Sequence, residues 1–275
     1  MKNKLIILIT IFLIIFSNFS FAHENFDRWL IKFKDEAISK GISEKTLEVL
    51  NNAKPLEKTI KLDRNQPEFK LTFHKYKSKV VSDYRIQKAK IEYKNNKTLL
   101  DKIEKKYGVN GRVLIALWAI ESNFGNNMGN FNLFHTLASL AYDGRRSKFF
   151  REELFNALMI VEKNMVNDIN LRSGWAGAMG QCQFMPSSYL KYGIDENKDG
   201  KIDIWSDKED IFASMANYLN KNGWNNNFIW GRAVLSNNIS NLTHYNKEIK
   251  NLSEWSNLGF SQSNYKQLPN VDIKA

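Results

Sequence analysis

Apolar residues recur along the chain at three- and four-residue intervals, and no sustained alternation of period two appears. The pattern predicts a mainly α-helical protein with little sheet. Phe26, Trp29, Leu30 and Phe33 make the first stripe, continued by Ala37 and Ile38 and ended by Gly41. Ser43 opens a second helix through Leu47 and Leu50, although Ser43-x-x-Thr46 lacks the acid of a full capping box. Residues 53–71, punctuated by Pro55 and Pro67, read as an irregular connector. A very basic helix is predicted from Tyr76 to Asn95, then a helical hairpin over 98–124 broken near Gly108. Further helices are predicted at 131–141, 147–166, 186–192 and 207–222. Beyond Gly223 the chain turns rich in Asn and Ser, with one helix near 247–257.

The first 22 residues stand apart from this pattern. Lys2 and Lys4 precede an apolar run from Leu5 to Phe16, broken only by Thr10, and Ser20-Phe21-Ala22 offers small residues around a cleavage point. This is the layout of a secretory signal peptide cut after Ala22. An uncleaved anchor is the alternative, but the run is short for a bilayer span. No cysteine lies near the cut, so a lipoprotein anchor is not expected. The mature chain is expected in the periplasm, as a monomer with no stable membrane span.

Composition narrows the class. Of 275 residues, 43% are hydrophobic and 13% aromatic, enough for a sizeable core and too many for a disordered chain. The single cysteine excludes a disulfide framework and a cysteine-based zinc cluster. Lys and Arg number 40 against 29 Asp and Glu; the leader removes two lysines and no acid, so the mature balance is 38 against 29, or +9. Such a surface suits an anionic partner. The basic residues are dispersed, without zinc-finger spacing or an RNA-binding aromatic motif, so nucleic acid is not expected. Outside the cytoplasm the anionic candidates are cell-wall peptidoglycan and membrane surfaces, and simple solubility would explain the charge as well.

Val113, Leu114, Leu117 and Ile120 form an apolar stripe, and Glu121 lies four residues after Leu117 along it. A carboxyl there faces the core or the floor of a cleft. Desolvation disfavours its charged form and raises its pKa, as a general acid near neutral pH requires. Gly125, Asn126 and Asn127 then stop the helix. A structural ion pair with Arg145 or Arg146 would account for a lone glutamate equally well. Residues 174–188 are glycine-rich and mostly polar, with small residues that allow close backbone approach. In this stretch Gln181 and Gln183 supply amides for hydroxyls, Trp175 and Phe184 could stack on a sugar or pack in the core, and Pro186 suits the first turn of a helix. A polar loop beside an isolated acid suggests a carbohydrate site.

Several motifs then make a specific resemblance. They are Ile120-Glu121-Ser122-Asn123-Phe124-Gly125, Leu137-Ala138-Ser139-Leu140-Ala141-Tyr142-Asp143-Gly144-Arg145-Arg146, Ala176-Gly177-Ala178-Met179-Gly180-Gln181 and Gln183-Phe184-Met185-Pro186-Ser187-Ser188. Ala216-Asn217-Tyr218-Leu219, Gly223-Trp224 and the upstream Gln66-Pro67-Glu68-Phe69 complete the set. In order and spacing, over roughly residues 60–224, the chain closely resembles the lytic murein transglycosylase B family. The resemblance implies a lysozyme-like catalytic core over 101–224, an N-terminal helical part over 23–100 packed on it, and a C-terminal segment over 225–275 that is shortened relative to the family. It implies a peptidoglycan lytic transglycosylase that cleaves the MurNAc-β-1,4-GlcNAc bond without water, leaving 1,6-anhydro-MurNAc ends, with Glu121 as acid and then base. One carboxyl serving twice removes the need for a second, and no acid occurs in 122–142 or 169–194. Gln183 and Tyr218 match the family's groove residues, and Tyr142 and Arg146 are further substrate-binding candidates. The family's Gly-Ser is reversed here as Ser173-Gly174, which makes Ser173 a displaced substitute for the serine. The alternatives are a hydrolytic muramidase and a non-catalytic peptidoglycan-binding remnant, the latter suggested by the shortened segment.

Asp195-x-Asn197-x-Asp199-Gly200-x-Ile202-Asp203 matches most of an EF-hand-like loop, with a backbone carbonyl at Lys201. The twelfth position is Ser206, and by the family's lengthened loop Asp210 would close the set. The expected cofactor is a structural calcium, with sodium or an empty turn as alternatives, and none is required for chemistry. His23, His74, His135 and His244 lack ligand spacing, and Cys182 reads as a packed thiol.

Overall fold

The computed structural model describes residues 25–65, 72–226, 231, 233–237 and 248–270. The leader, the Gln66–Phe69 motif, His23 and His244 lie outside those residues. Two compact units divide the chain, the first ending at Trp224 and the second beginning at Asn225.

The first unit is almost wholly helical. In chain order its helices are α1 (Phe26–Ser39), α2 (Glu44–Leu47) with a following 3-10 turn, α3 (Glu57–Arg64), α4 (Phe73–Val80), α5 (Asp83–Asn95), α6 (Lys97–Tyr107) and α7 (Gly111–Ser122). Strand β1 (Phe131–Asn132) leads into α8 (Leu133–Asp143) and α9 (Ser147–Glu162); β2 (Arg172–Ser173), α10 (Pro186–Tyr192) and α11 (Lys208–Lys221) follow. The two short strands pair antiparallel, Phe131 opposite Ser173 and Asn132 opposite Arg172. The predicted scarcity of sheet is therefore observed.

The core sits on α8, which buries every residue from Thr136 to Ala141 besides Leu133 and Phe134. A helix apolar nearly all round must be enclosed, and α9, α3 and α1 pack against it. Two buried acids fasten this packing. Glu153 of α9 accepts from the Ser187 amide at 2.9 Å and hydroxyl at 2.6 Å, supplying the cap that the Pro186 start of α10 lacks. Asp63 of α3 receives Arg145 at 2.7 Å and also Arg146.

Ser43 does cap α2, and the acid missing from its local box comes from across the fold. Glu162 accepts from the Ser43 amide at 3.0 Å and hydroxyl at 2.8 Å. Gly108, in the left-handed region at φ +69°, separates α6 from α7 where the break was predicted. Two expectations are corrected. The connector over 53–71 contains α3, whose buried Thr59 and Asp63 are polar and leave no apolar stripe to read. The basic helix over 76–95 is two helices, because Ser82 caps a new start by accepting from the Arg85 amide at 3.2 Å.

The second unit holds a two-stranded antiparallel pair, β3 (Val234–Ser236) with β4 (Phe260–Gln262), and α12 (Leu252–Asn257) between them in sequence. Among the described residues no helix is long and apolar enough to cross a membrane.

Candidate active site

Helix α7 buries Leu114, Ile115, Trp118, Ala119 and Ser122, while Val113 and Leu117 are half-buried and Ile120 is exposed. Glu121 therefore lies on the flank of the buried stripe and not along its centre. The carboxyl is accessible, yet the protein around it is dense enough for desolvation to raise its pKa above the ordinary value. Among the described residues nothing donates a hydrogen bond to Glu121 and no base pairs with it. Arg145 and Arg146 are engaged by Asp63 instead, so the structural ion pair is not formed.

The turn after Glu121 is unusual. Asn123, Phe124 and Gly125 are consecutive residues in the left-handed region, at φ +51°, +60° and +80°. They carry the chain sharply off the helix, with the Ser122 hydroxyl accepting from the Gly125 amide at 3.0 Å. A side chain at Gly125 would collide with Gln181, whose Oε1 accepts from the Trp118 indole at 2.6 Å and whose Nε2 donates to the Trp205 carbonyl at 2.6 Å. Gln181 is thus a tie between α7 and the loop preceding α11 rather than an amide offered to a ligand.

The glycine-rich segment folds back on itself through Met179 and Phe184, which exchange backbone hydrogen bonds at 2.8 and 3.1 Å. Gly177, at φ +88°, lies against Leu137, and a side chain at Gly180 would come within 2.6 Å of the Ile204 carbonyl. Gln183, itself at φ +50°, donates Nε2 to the carbonyls of Gly180 at 2.8 Å and Met128 at 3.3 Å. Its neighbour Phe184 packs on Tyr218, 5.5 Å between rings, and Tyr192 meets Tyr218 edge-on at 4.9 Å. Tyr218 remains 38% exposed. Cys182 is buried, with its thiol pKa pushed up by burial and then by the charges of Glu121 and Asp210. Residues 182–184 thus run from the buried thiol that senses the Glu121 charge, through Gln183, to the ring that packs on Tyr218.

The other sequence candidates sit differently. Ser173 is fully buried in β2 and its hydroxyl donates to the Gly174 carbonyl at 3.0 Å. Tyr142 packs edge-on against Phe26 at 5.1 Å and Trp29 at 5.9 Å, within the contact of α1 with α8. Arg146 lies 4.7 Å over the Phe150 ring beside Asp63. The partner Asp63 lies in a segment without an apolar stripe, and in the sequence only the two adjacent arginines that follow a buried helix point to it.

In the EF-hand-like loop the Asp195 oxygens accept from the Asp199 amide at 3.1 Å and the Gly200 amide at 2.9 Å. Asn197 Oδ1 also accepts from Asp199, and Asp199 Oδ1 from the Lys201 amide at 2.8 Å. Lys198 and Gly200 take the left-handed turns. Asp210 is placed otherwise than expected. It is fully buried, and its two oxygens accept from the amides of Glu196 at 2.8 Å and Asp203 at 2.7 Å, so it braces the loop from beneath. Asp207, which caps α11, receives Asn197 Nδ2 at 2.8 Å and is the acid at the loop's edge. Among the described residues no three His, Cys, Asp or Glu side chains are arranged to hold a metal. The candidate donors are the Asp195 and Asp199 carboxylates, the Asn197 amide oxygen and the Lys201 carbonyl, while the Asp203 oxygens accept from Trp205 and Ser206; these are hard oxygens of the kind calcium takes, without a closing bidentate acid.

The transglycosylase SLT domain family matches residues 25–275. Membrane-bound lytic murein transglycosylase B of Escherichia coli K12 is 30% identical over 205 residues, which are 70% of this chain and 56% of that protein. The chain thus spans just over half the length of the curated relative it matches. Among solved structures, SltB3 from Pseudomonas aeruginosa in complex with NAG-NAM-pentapeptide superposes with a TM-score of 0.85 at 33% identity, over 90% of this chain and 67% of that one. Escherichia coli Slt35 in complex with calcium superposes with a TM-score of 0.71 at 26% identity, over 93% and 80%. The fold is that of the lysozyme-like lytic transglycosylases, and the chain belongs to the transglycosylase SLT domain family.

Proposed function

We propose that the chain is a peptidoglycan lytic transglycosylase that cleaves the MurNAc-β-1,4-GlcNAc bond and leaves 1,6-anhydro-MurNAc ends. The observation that carries the proposal is Glu121: accessible, unpaired among the described residues, and raised in pKa by desolvation. In the first step its protonated carboxyl donates to the glycosidic oxygen, and the GlcNAc hydroxyl leaves. The muramyl N-acetyl oxygen supports the positive charge at C1 as the bond breaks. In the second step the Glu121 carboxylate takes the proton from the muramyl C6 hydroxyl, whose oxygen closes on C1. The glutamate ends protonated, as it began, and no water is consumed. Inverting and retaining hydrolases need two carboxyls, and the absence of acids from 122–142 and 169–194 agrees with a single one.

Gln183, with Nε2 committed to carbonyls, would offer Oε1 to a sugar hydroxyl or amide, and Tyr218 would contribute its exposed ring face. Ser173, Tyr142 and Arg146 would act through packing, not through contact with glycan. Residues 101–224 would form the catalytic core, with 23–100 packed on it. The loop would hold calcium through Asp195, Asn197, Asp199 and the Lys201 carbonyl, as a brace of the fold. The leader would direct the chain to the periplasm, where it would act as a monomer on glycan strands. The peptidoglycan fragments bound in SltB3 support this substrate class.

The test is digestion of purified peptidoglycan by residues 23–275 and by Glu121→Gln, with products read by mass spectrometry. Anhydro-muropeptides from the wild type alone are expected. Reducing ends would make the protein a hydrolytic muramidase, and retention on sacculi without products would make it a binding remnant.

A further inference from the structure

A cavity of about 390 Å³ opens between the 166–172 segment and the loop at 201–206, a volume in the range of small-ligand sites. None of Glu121, Gln183 and Tyr218 lines it. Its apolar wall is Trp205 with Leu171 and Ile202. The Trp205 indole is fixed, since its N–H donates to the Arg172 carbonyl at 3.3 Å and the residue's own carbonyl accepts from Gln181 at 2.6 Å. Arg172 and Lys201 also line the cavity, their side chains donating to the carbonyls of Asn130 at 3.3 Å and Asn164 at 2.7 Å. Among the described residues neither forms an ion pair, so two positive charges stand unneutralised beside the apolar wall. Of the two acids in the lining, Asp203 is taken up by Trp205 and Ser206. Asp168 accepts from the Asn170 amide at 2.8 Å through one oxygen, and among the described residues its other oxygen is uncommitted.

From these observations we infer that the pocket takes the charged end of a peptidoglycan peptide stem, its carboxylate met by Arg172 and Lys201, its ammonium by Asp168 and its aliphatic part by Trp205. A fixed aromatic wall with charges of both signs suits an amino-acid end, which carries both charges close together. A neutral sugar would leave the cations without a partner, and an anion lacking an amine would meet repulsion from Asp168. Position supports the assignment. Gly174 follows Arg172 by two residues, roughly 7 Å of extended chain, and a side chain at Gly174 would stand 3.2 Å from Gln183 Oε1. A three-residue stem, about 10 Å long when extended, could span that separation from a muramyl unit held at Gln183. The inference rests on the substrate proposed above and adds to it a part of the polymer on which Glu121 does no chemistry.

The test is calorimetric titration of residues 23–275, with calcium present, by N-acetyl-L-Ala-γ-D-Glu-meso-diaminopimelate. Binding is expected, with the peptide amidated at the terminal carboxylate, or acetylated at the diaminopimelate amine, held about tenfold more weakly. Arg172→Gln should bind the unmodified peptide about tenfold more weakly, and amidation should then cost it no more than about threefold. Asp168→Asn should be similarly indifferent to acetylation. Both variants alter exposed side chains, and the modified peptides are read against the unaltered chain, so a variant that failed to fold would leave the test standing. Absence of binding at millimolar peptide, or equal binding of all three peptides, overturns the inference. So does a GlcNAc-MurNAc disaccharide without peptide that binds and is lost on Arg172→Gln, which would give the pocket to the glycan. The peptide holds no glycosidic bond, so the titration is readable whether or not Glu121 yields anhydro ends.

Discussion

Glu121 at the end of α7 and Asp210 at the start of α11 both raise the pKa of one buried thiol, Cys182, and both have pKa values raised chiefly by desolvation themselves. They differ in what their oxygens do. Asp210 is 0% exposed, and two backbone amides that donate to it offset part of the burial. Those bonds fix the loop to the helix. Glu121 accepts nothing among the described residues, so its desolvation is not offset and its proton is available for transfer. A raised carboxyl is therefore a candidate acid only where its oxygens are uncommitted; elsewhere the same shift accompanies a brace.

Substitution at the two sites should separate these roles. Glu121→Gln is expected to lower turnover of peptidoglycan by about a thousandfold or more, measured as release of anhydro ends. It should leave the melting temperature at pH 7 equal or slightly higher. The native state holds the Glu121 proton more tightly than the unfolded chain does, so stability declines as pH rises from the ordinary carboxylate value through the raised one. An amide removes that loss. For the same reason wild-type kcat/KM should fall as pH climbs through the raised value, since the first step needs the protonated form. Asp210→Ala should do the reverse, costing about 3 kcal/mol and roughly 6–12 °C of Tm while sparing the rate per folded molecule. A well-folded but inactive Asp210→Ala would break the comparison.

The turn that sets Glu121 apart gives a smaller effect. Gly125→Ala forces a side chain into Gln181 at a backbone angle that favours glycine. A cost of about 2 kcal/mol is expected in a urea melt. Turnover should drop by more than the unfolded fraction explains, because Gln181 also holds Trp118, one turn before Glu121.

Where local chemistry determines structure, the sequence was readable. Pro186 opening α10, Gly108 dividing α6 from α7, and the stripe from Phe26 to Ala37 are each set by residues a few positions apart. Helix α3 was not, because its buried face is Thr59 and Asp63, and the need for Asp63 lies with arginines eighty residues on. Asp210 was assigned by its place in a loop pattern, whereas its role follows from amides that only the fold brings to it. Gln181 and Gln183 look alike in sequence, and the first is recognisable as a tie only when Trp118 and Trp205 close on it.

Calcium sharpens the contrast most gently. If Asp195, Asn197 and Asp199 hold the ion, the loop that Asp210 braces gains a second fastening. Calcium at ten times its Kd should then add about 1.4 kcal/mol, seen as a rise of roughly 3–6 °C in Tm. Asn197→Ala should abolish the rise, since it removes a donor oxygen and the contact to Asp207 together. Chelation well below the melting temperature should leave turnover unchanged, because no step assigned to Glu121 passes through the loop. Loss of turnover on chelation without unfolding would mean that the brace and the acid are coupled through the segment around Cys182.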